Sequence, residues 1–143
     1  RAKGVPAVQI ATGTACHLDA HMVHDALHRL DLDTIDILFI ENVGNLVCPA
    51  SFDLGHHRNV TLLSVTEGDD KPLKYPGMFR RSSVMVINKT DLIGTSDFDI
   101  ERVKANALQI NGNLTIIETS CRSGDGLDNW FDWLKAEIGR KKK

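Results

Sequence analysis

No apolar run in these 143 residues is long enough to cross a bilayer, and no signal peptide opens the chain, so neither a membrane span nor a secretory route is expected. Charge of one sign is missing too. Seventeen Lys and Arg against nineteen Asp and Glu leave a net charge of -2, which offers no electrostatic footprint for nucleic acid or a membrane surface. Cysteine is scarce, with three in all. An odd number without a disulfide framework points to a reducing, cytoplasmic setting. Internal repeats, low-complexity tracts and an evident linker are also absent. What remains is an ordinary globular composition, 42% hydrophobic and 25% charged, sufficient for one domain with a single sizeable core. The one dense basic run, Arg140 to Lys143, is expected to solvate the end of a last helix and complement its dipole. The chain opens on Arg1 rather than Met, almost at the edge of an apolar segment, as a piece of a longer protein would.

The stretch from Ile35 to Ala50 organises the rest. Ile35 to Ile40 is apolar and rich in β-branched residues, the pattern of a parallel strand buried on both faces. It ends on Glu41, and Gly44 follows three residues later. An acid at the carboxyl end of a parallel strand lies on the edge where doubly wound folds bind ligands. An acid-x-x-Gly there suits a nucleotide hydrolase: the carboxylate holds a Mg²⁺ water, and the glycine lets its backbone approach a γ-phosphate. The bland alternative is an ordinary strand-to-turn exit. Cys48, a few residues on, adds a soft metal ligand to the same loop.

Upstream, Val5 to Thr12 is apolar enough for a first strand, and a helix is expected from about Leu18 to Leu30. Met22, Val23, Ala26, Leu27 and Leu30 fall on one side of its wheel. His17, His21, His24 and His28, spaced four, three and four apart, fall on the other. Imidazoles pointing away from a core serve as a solvated face, metal ligands or part of an interface. His24 and His28 are read as solvated. Cys16, His17 and His21 present thiolate and imidazole donors in a small patch, a set that suits Zn²⁺ or Ni²⁺. Loops after neighbouring parallel strands share one sheet edge, so Cys48 is expected to meet Cys16. The alternative is that both cysteines are small packed residues.

Downstream, Asn59 to Val65, Ser83 to Ile87 and Leu114 to Glu118 read as three further strands. The second delivers Asn88-Lys89-Thr90-Asp91 to the sheet edge. A carboxylate at the Asp91 position accepts hydrogen bonds from both the N1–H and the exocyclic amine of guanine, a pair adenine does not present. The exit of the third strand, through Ser120 and Cys121 to Gly126, supplies small side chains and amides able to close over that base. A helix capped within Thr95–Asp97 is expected to run to about Ile110. Another should run from Leu127 to about Ile138 and pack Trp130, Phe131, Trp133 and Leu134 in the core. The fold class that results is α/β, a doubly wound and mostly parallel sheet.

These residues resemble the HypB family, the hydrogenase nickel-incorporation GTPases. The matching stretches are Gly13 to Ala20, Phe39 to Ala50, Ser64 to Pro76, Asn88 to Asp91 and Ser120 to Gly124, and the similarity they mark extends over nearly the whole chain. The resemblance implies a P-loop NTPase fold lacking its first βα unit, with residues 1–143 as the carboxyl-terminal part of one GTPase domain. It implies GTP and Mg²⁺ as ligands, Glu41 and Gly44 in catalysis, and Asn88, Lys89, Asp91, Ser120 and Cys121 around the base. It also implies a homodimer holding Ni²⁺ or Zn²⁺ through Cys16, His17, His21 and Cys48, with HypA and the hydrogenase large subunit as partners. The departures are specific. No Gly-x-x-x-x-Gly-Lys-[Ser/Thr] occurs in these residues, so the loop that cradles phosphates is expected upstream of Arg1. His56 stands where the family usually has glutamate, and Ala11 where it tends to have asparagine. A binding module without hydrolysis, in which the chain is a metal-binding, self-associating fragment, is therefore the alternative to an enzyme.

Overall fold

The computed structural model describes residues 4–141; Lys142 and Lys143 of the basic tail lie outside the described residues. The chain divides into two compact units, Arg1–His56 and His57–Lys143.

The second unit is built on three parallel strands in the order β1 (Val60–Ser64), β2 (Val84–Asn88), β3 (Thr115–Glu118). All three fall where apolar, β-branched runs predict them. β2 is central, and its Val84, Met85, Val86 and Ile87 are buried on both faces. It has ladder partners on both edges and layers on both faces, which explains why its sequence is continuous rather than alternating in hydrophobicity. β1 alternates: Thr61 and Leu63 are buried while Val60 and Leu62 are exposed. Each fully buried Val, Leu or Ile contributes roughly 1.5–3 kcal/mol of transfer free energy.

Between β1 and β2 lie two short helices, α2 (Lys71–Lys74) and α3 (Pro76–Arg81), each with proline in its first turn. Proline is tolerated there because its missing N–H has no intrahelical acceptor. Between β2 and β3 runs α4 (Ile100–Ile110), whose buried Val103 and Ala107 are one turn apart on one face. Its cap is Asp99, not a residue of Thr95–Asp97: the Asp99 side chain accepts from the Arg102 amide at 2.9 Å. Asp99 is itself held from outside the helix. Its amide donates to Asp69 Oδ2 at 2.9 Å, and Arg102 Nε donates to the same oxygen at 3.1 Å. The Asp99 amide and the Arg102 guanidinium hold the buried Asp69 carboxyl below the usual carboxylate range. This pins the loop after β1 to the start of α4.

The last helix, α5 (Leu127–Lys141), packs Trp130 and Trp133 against Val84, Val86 and Ile117. The two indoles stack with centroids 5.5 Å apart. Phe131, expected in the core with them, is 46% exposed, because it projects from a different face of the helix than its neighbours. Gly126 precedes α5 at φ +70°, and a Cβ there would come within 1.9 Å of the Glu118 carbonyl oxygen. Only glycine lets the start of α5 approach the end of β3 so closely.

The first unit contains α1 (Ala20–Leu27) and two 3₁₀ turns, Leu32–Thr34 and Cys48–Ser51. Asp19 caps α1 by accepting from the Met22 amide at 2.8 Å. The predicted amphipathy holds: Val23 is buried, Met22, Ala26 and Leu27 are half-buried, and the histidines from His21 onward are exposed. Two expectations fail. Val5–Thr12 and Ile35–Ile40 do not form strands, and Val5 (63% exposed) and Phe39 (63%) are largely open. Apolar patterning marks a segment as fit for burial. A parallel strand also needs ladder partners and covering layers, and these runs lack that cover. Among the described residues no helix is long and apolar enough to cross a membrane.

Candidate functional site

The parallel register brings Ser64 opposite Asn88 and Ile87 opposite Glu118, so all three strands end at one sheet edge. β2 exits there into Asn88–Asp91 and β3 into Thr119–Asp125. The two exits are bonded to each other. Ser120 Oγ donates to Asp91 Oδ1 at 2.6 Å, while Thr119 Oγ1 and the Cys121 amide both donate to Asn88 Oδ1 at 3.3 Å. The amide and hydroxyl of Thr90 both donate to the Thr119 carbonyl, at 3.1 and 3.0 Å. Ser120 is fully buried, and its hydroxyl also accepts from the Ser123 amide at 3.2 Å.

Within this frame Lys89 has φ 64° and ψ 38°, the left-handed region, and no other non-glycine among the described residues has positive φ. That conformation costs an L-residue roughly 1–2 kcal/mol. It is offset by the bonds that Thr90, Asn88 and Asp91 make to the neighbouring loop. Asp91 is exposed beyond its bond to Ser120. Sequence reasoning placed Asn88, Lys89, Asp91, Ser120 and Cys121 together, and they are together. Cys121 takes part through its amide, and its thiol is free and exposed. The arrangement offers a fixed, solvent-facing carboxylate at the end of a buried strand.

The second cluster lies in the first unit. The side chain of Cys16, followed by partial burial, pushes the neighbouring Cys48 thiol above its ordinary value. His17 Nδ1 lies 3.9 Å from Cys16 Sγ, and its ring stacks on Phe52 at 3.7 Å. Two residues that the sequence reading missed hold these parts. Asn45 Nδ2 donates to the Cys16 carbonyl at 2.7 Å, while Asn45 Oδ1 accepts from the amides of Val47 and Cys48 at 3.1 and 2.9 Å. Asn42 Oδ1 accepts from the Leu18 amide at 2.9 Å and from Val43 at 2.8 Å. The available signal was the residue type: an asparagine amide in a loop both donates and accepts, so it can tie two backbone segments at once.

His21 does not join this cluster. It is exposed and faces Asp25 at 3.7 Å, one turn along α1. Among the described residues no group of three or more His, Cys, Asp or Glu is gathered to hold a metal ion. Two thiols with one flanking imidazole are good donors for Zn²⁺ or Ni²⁺ but an incomplete shell. Glu41 and Gly44 lie on the same loop as Cys48. Glu41 is exposed, and a Cβ at Gly44 would meet nothing, so the fold around it does not demand a glycine. What the glycine leaves is unobstructed access to its backbone.

Residues 1–118 match the CobW/HypB/UreG nucleotide-binding domain. The chain is 56% identical to the hydrogenase maturation factor HypB of Azotobacter vinelandii over 141 residues, which are 99% of this chain and 46% of that protein. It is 43% identical to the probable hydrogenase maturation factor HypB of Methanocaldococcus jannaschii over 135 residues, 94% of this chain and 61% of that one. Its structure is similar to the crystal structure of HypB from Helicobacter pylori in complex with nickel. The TM-score is 0.94 at 40% identity, covering 98% of this chain and 67% of that one. The chain thus spans about half the length of the bacterial relatives it matches.

Proposed function

The chain belongs to the HypB group of the CobW/HypB/UreG nucleotide-binding family, and from that premise we propose that it carries the guanine-reading and metal-holding parts of a GTP-dependent nickel metallochaperone. The observation that carries this reading is that Asn45, on the loop that also holds Glu41 and Gly44, ties the Cys16 carbonyl to the Cys48 amide through one side chain. In the proposed mechanism Asp91 pairs with the N1–H and amine of guanine while Asn88 and Ser120 keep its loop in place. Glu41 would help hold a Mg²⁺ ion, which would offset charge on the phosphates, and the Gly44 amide would be the donor offered to a γ-phosphate. Asn45 is the next residue, and its side chain spans the Cys16 carbonyl and the Cys48 amide. A pull on Gly44 therefore shifts Asn45 and the spacing of the two thiols.

Nickel is the cargo. GTP and GDP states that hold the thiols differently bind the metal with different affinity, and that difference drives directional release. Zn²⁺ fits the same donors. Because among the described residues one chain gathers no set of three metal ligands, a homodimer would complete the shell across a two-fold axis. The nickel-supplying partner HypA and the hydrogenase large subunit stand on either side of this transfer, in the cytoplasm. For these 143 residues alone, the lack of Gly-x-x-x-x-Gly-Lys-[Ser/Thr] favours metal binding and self-association without hydrolysis. Phosphate contacts would then come from chain outside them.

The test is equilibrium dialysis with Ni²⁺ and with Zn²⁺, paired with sedimentation. Metal should promote dimers. Cys16→Ala and Cys48→Ala should each lower affinity at the thiol site by at least about tenfold, while His28→Ala leaves that site intact. Binding should also strengthen as pH rises, because the raised Cys48 thiol must lose its proton to ligate. Undiminished thiol-site binding in the double cysteine variant would end the assignment.

A further inference from the structure

We propose that His24 and His28 form a second metal site, a two-imidazole clip on the exposed face of α1 that takes a borderline divalent cation such as Ni²⁺ or Zn²⁺ independently of the thiols. The residues lie four apart, and their Nε2 atoms face each other at 3.2 Å. Two nitrogens each 2.0–2.1 Å from one ion, at an angle between square and tetrahedral, stand about 2.8–3.4 Å apart. The observed separation is inside that range. The rings are nearly perpendicular, with centroids 4.6 Å apart and planes at 84°. They therefore converge through their nitrogens rather than by stacking. His28 keeps right-handed helical backbone (φ -62°, ψ -11°), so the one-turn spacing holds through the end of α1.

Among the described residues neither ring has another hydrogen-bond partner, and both are exposed. A single neutral hydrogen bond between two exposed imidazoles gains little over bonds to water, while fixing two side chains costs conformational freedom. Shared coordination gives the convergence a stronger cause. The neighbouring His21 and Asp25 are taken up with each other at 3.7 Å and are not needed; water completes the shell. An all-nitrogen pair is a harder site than the thiols. It begins three residues beyond His21, about 4.5 Å further along the helix axis. The clip goes beyond the metallochaperone reading, since it requires neither Cys16, Cys48 nor nucleotide.

The experiment uses the full 143-residue chain, free of any oligohistidine tag, titrated calorimetrically with NiCl₂ and, separately, ZnCl₂. In a Cys16→Ala/Cys48→Ala background one ion per chain should still bind. Adding His24→Gln or His28→Gln should lower that affinity by at least about tenfold. Long-range ¹H–¹⁵N spectra with Zn²⁺ should move the Nε2 resonances of His24 and His28 together. If the cysteine background does not fold, the wild-type chain serves: His24→Gln/His28→Gln should remove one site and leave the tighter thiol site. Unmoved Nε2 resonances, or unchanged stoichiometry in the histidine variants, would reduce the pair to an imidazole–imidazole hydrogen bond and overturn the proposal. Absence of any thiol site in the wild-type chain, with the clip retained, would count against the metallochaperone reading only.

Discussion

Asp91 has one carboxylate oxygen bonded to a buried hydroxyl while the residue itself stays exposed. A side chain so oriented reads a ligand without searching rotamers, and Ser120, fully buried, is the support that orients it. If Asp91 reads guanine, Asp91→Asn in the full-length protein removes a charged acceptor and presents a mismatched donor. Preference should move from GTP towards XTP, with GTP affinity lowered at least tenfold. Competition binding with GTP, XTP and ATP checks this, and unchanged selectivity would take Asp91 out of the base-reading role. Asn45 acts at the same scale but differently. It is a positioning residue, since its amide touches the backbone of both cysteine segments and neither thiol.

Among the elements, β3 and α5 meet at the closest approach. The Gly126 Cβ position is filled by the Glu118 carbonyl, and its φ of +70° is one that side chains resist. Gly126→Ala combines a backbone clash with an unfavourable dihedral, so it should destabilise the fold by about 2–4 kcal/mol. Urea unfolding would show this as a lower midpoint with little change in slope; a midpoint within error of wild type would contradict it. The strain falls on the Thr119–Asp125 exit, so if Asp91 reads guanine, affinity for that base should drop alongside stability. In the other unit, α1 divides its labour by face. Val23 is buried, and the opposite side carries the His24–His28 pair and the His21–Asp25 contact.

At the scale of the whole molecule, the three-stranded unit carries the Asn88–Asp91 and Thr119–Asp125 loops and the first unit carries Cys16, Cys48, Glu41 and Gly44. Hydrolysis requires phosphate contacts and Mg²⁺, which supply most of the transition-state stabilisation in phosphoryl transfer. These 143 residues contain no phosphate-cradling motif. The isolated chain should therefore show no GTP turnover above the uncatalysed background in a phosphate-release assay. Mg²⁺-dependent turnover abolished by Asp91→Ala would contradict that.

Periodicity and residue chemistry determined a good part of this protein. The three strands, the buried face of α1 and the Asn88–Asp91 loop follow from local pattern plus the rule that parallel strands share an exit edge. Only the tertiary structure decided the rest. It left Val5–Thr12 and Ile35–Ile40 without strand structure, moved the α4 cap to Asp99 through its bond to Asp69, and turned Phe131 outward. It also paired His21 with Asp25 rather than with the thiols, brought His24 to His28, and set Asn42 and Asn45 as ties between segments. The physical reason is range. Hydrophobic period is a property of neighbours in the chain, whereas ladder partners, caps held from outside and bridging amides depend on distances between residues far apart in sequence.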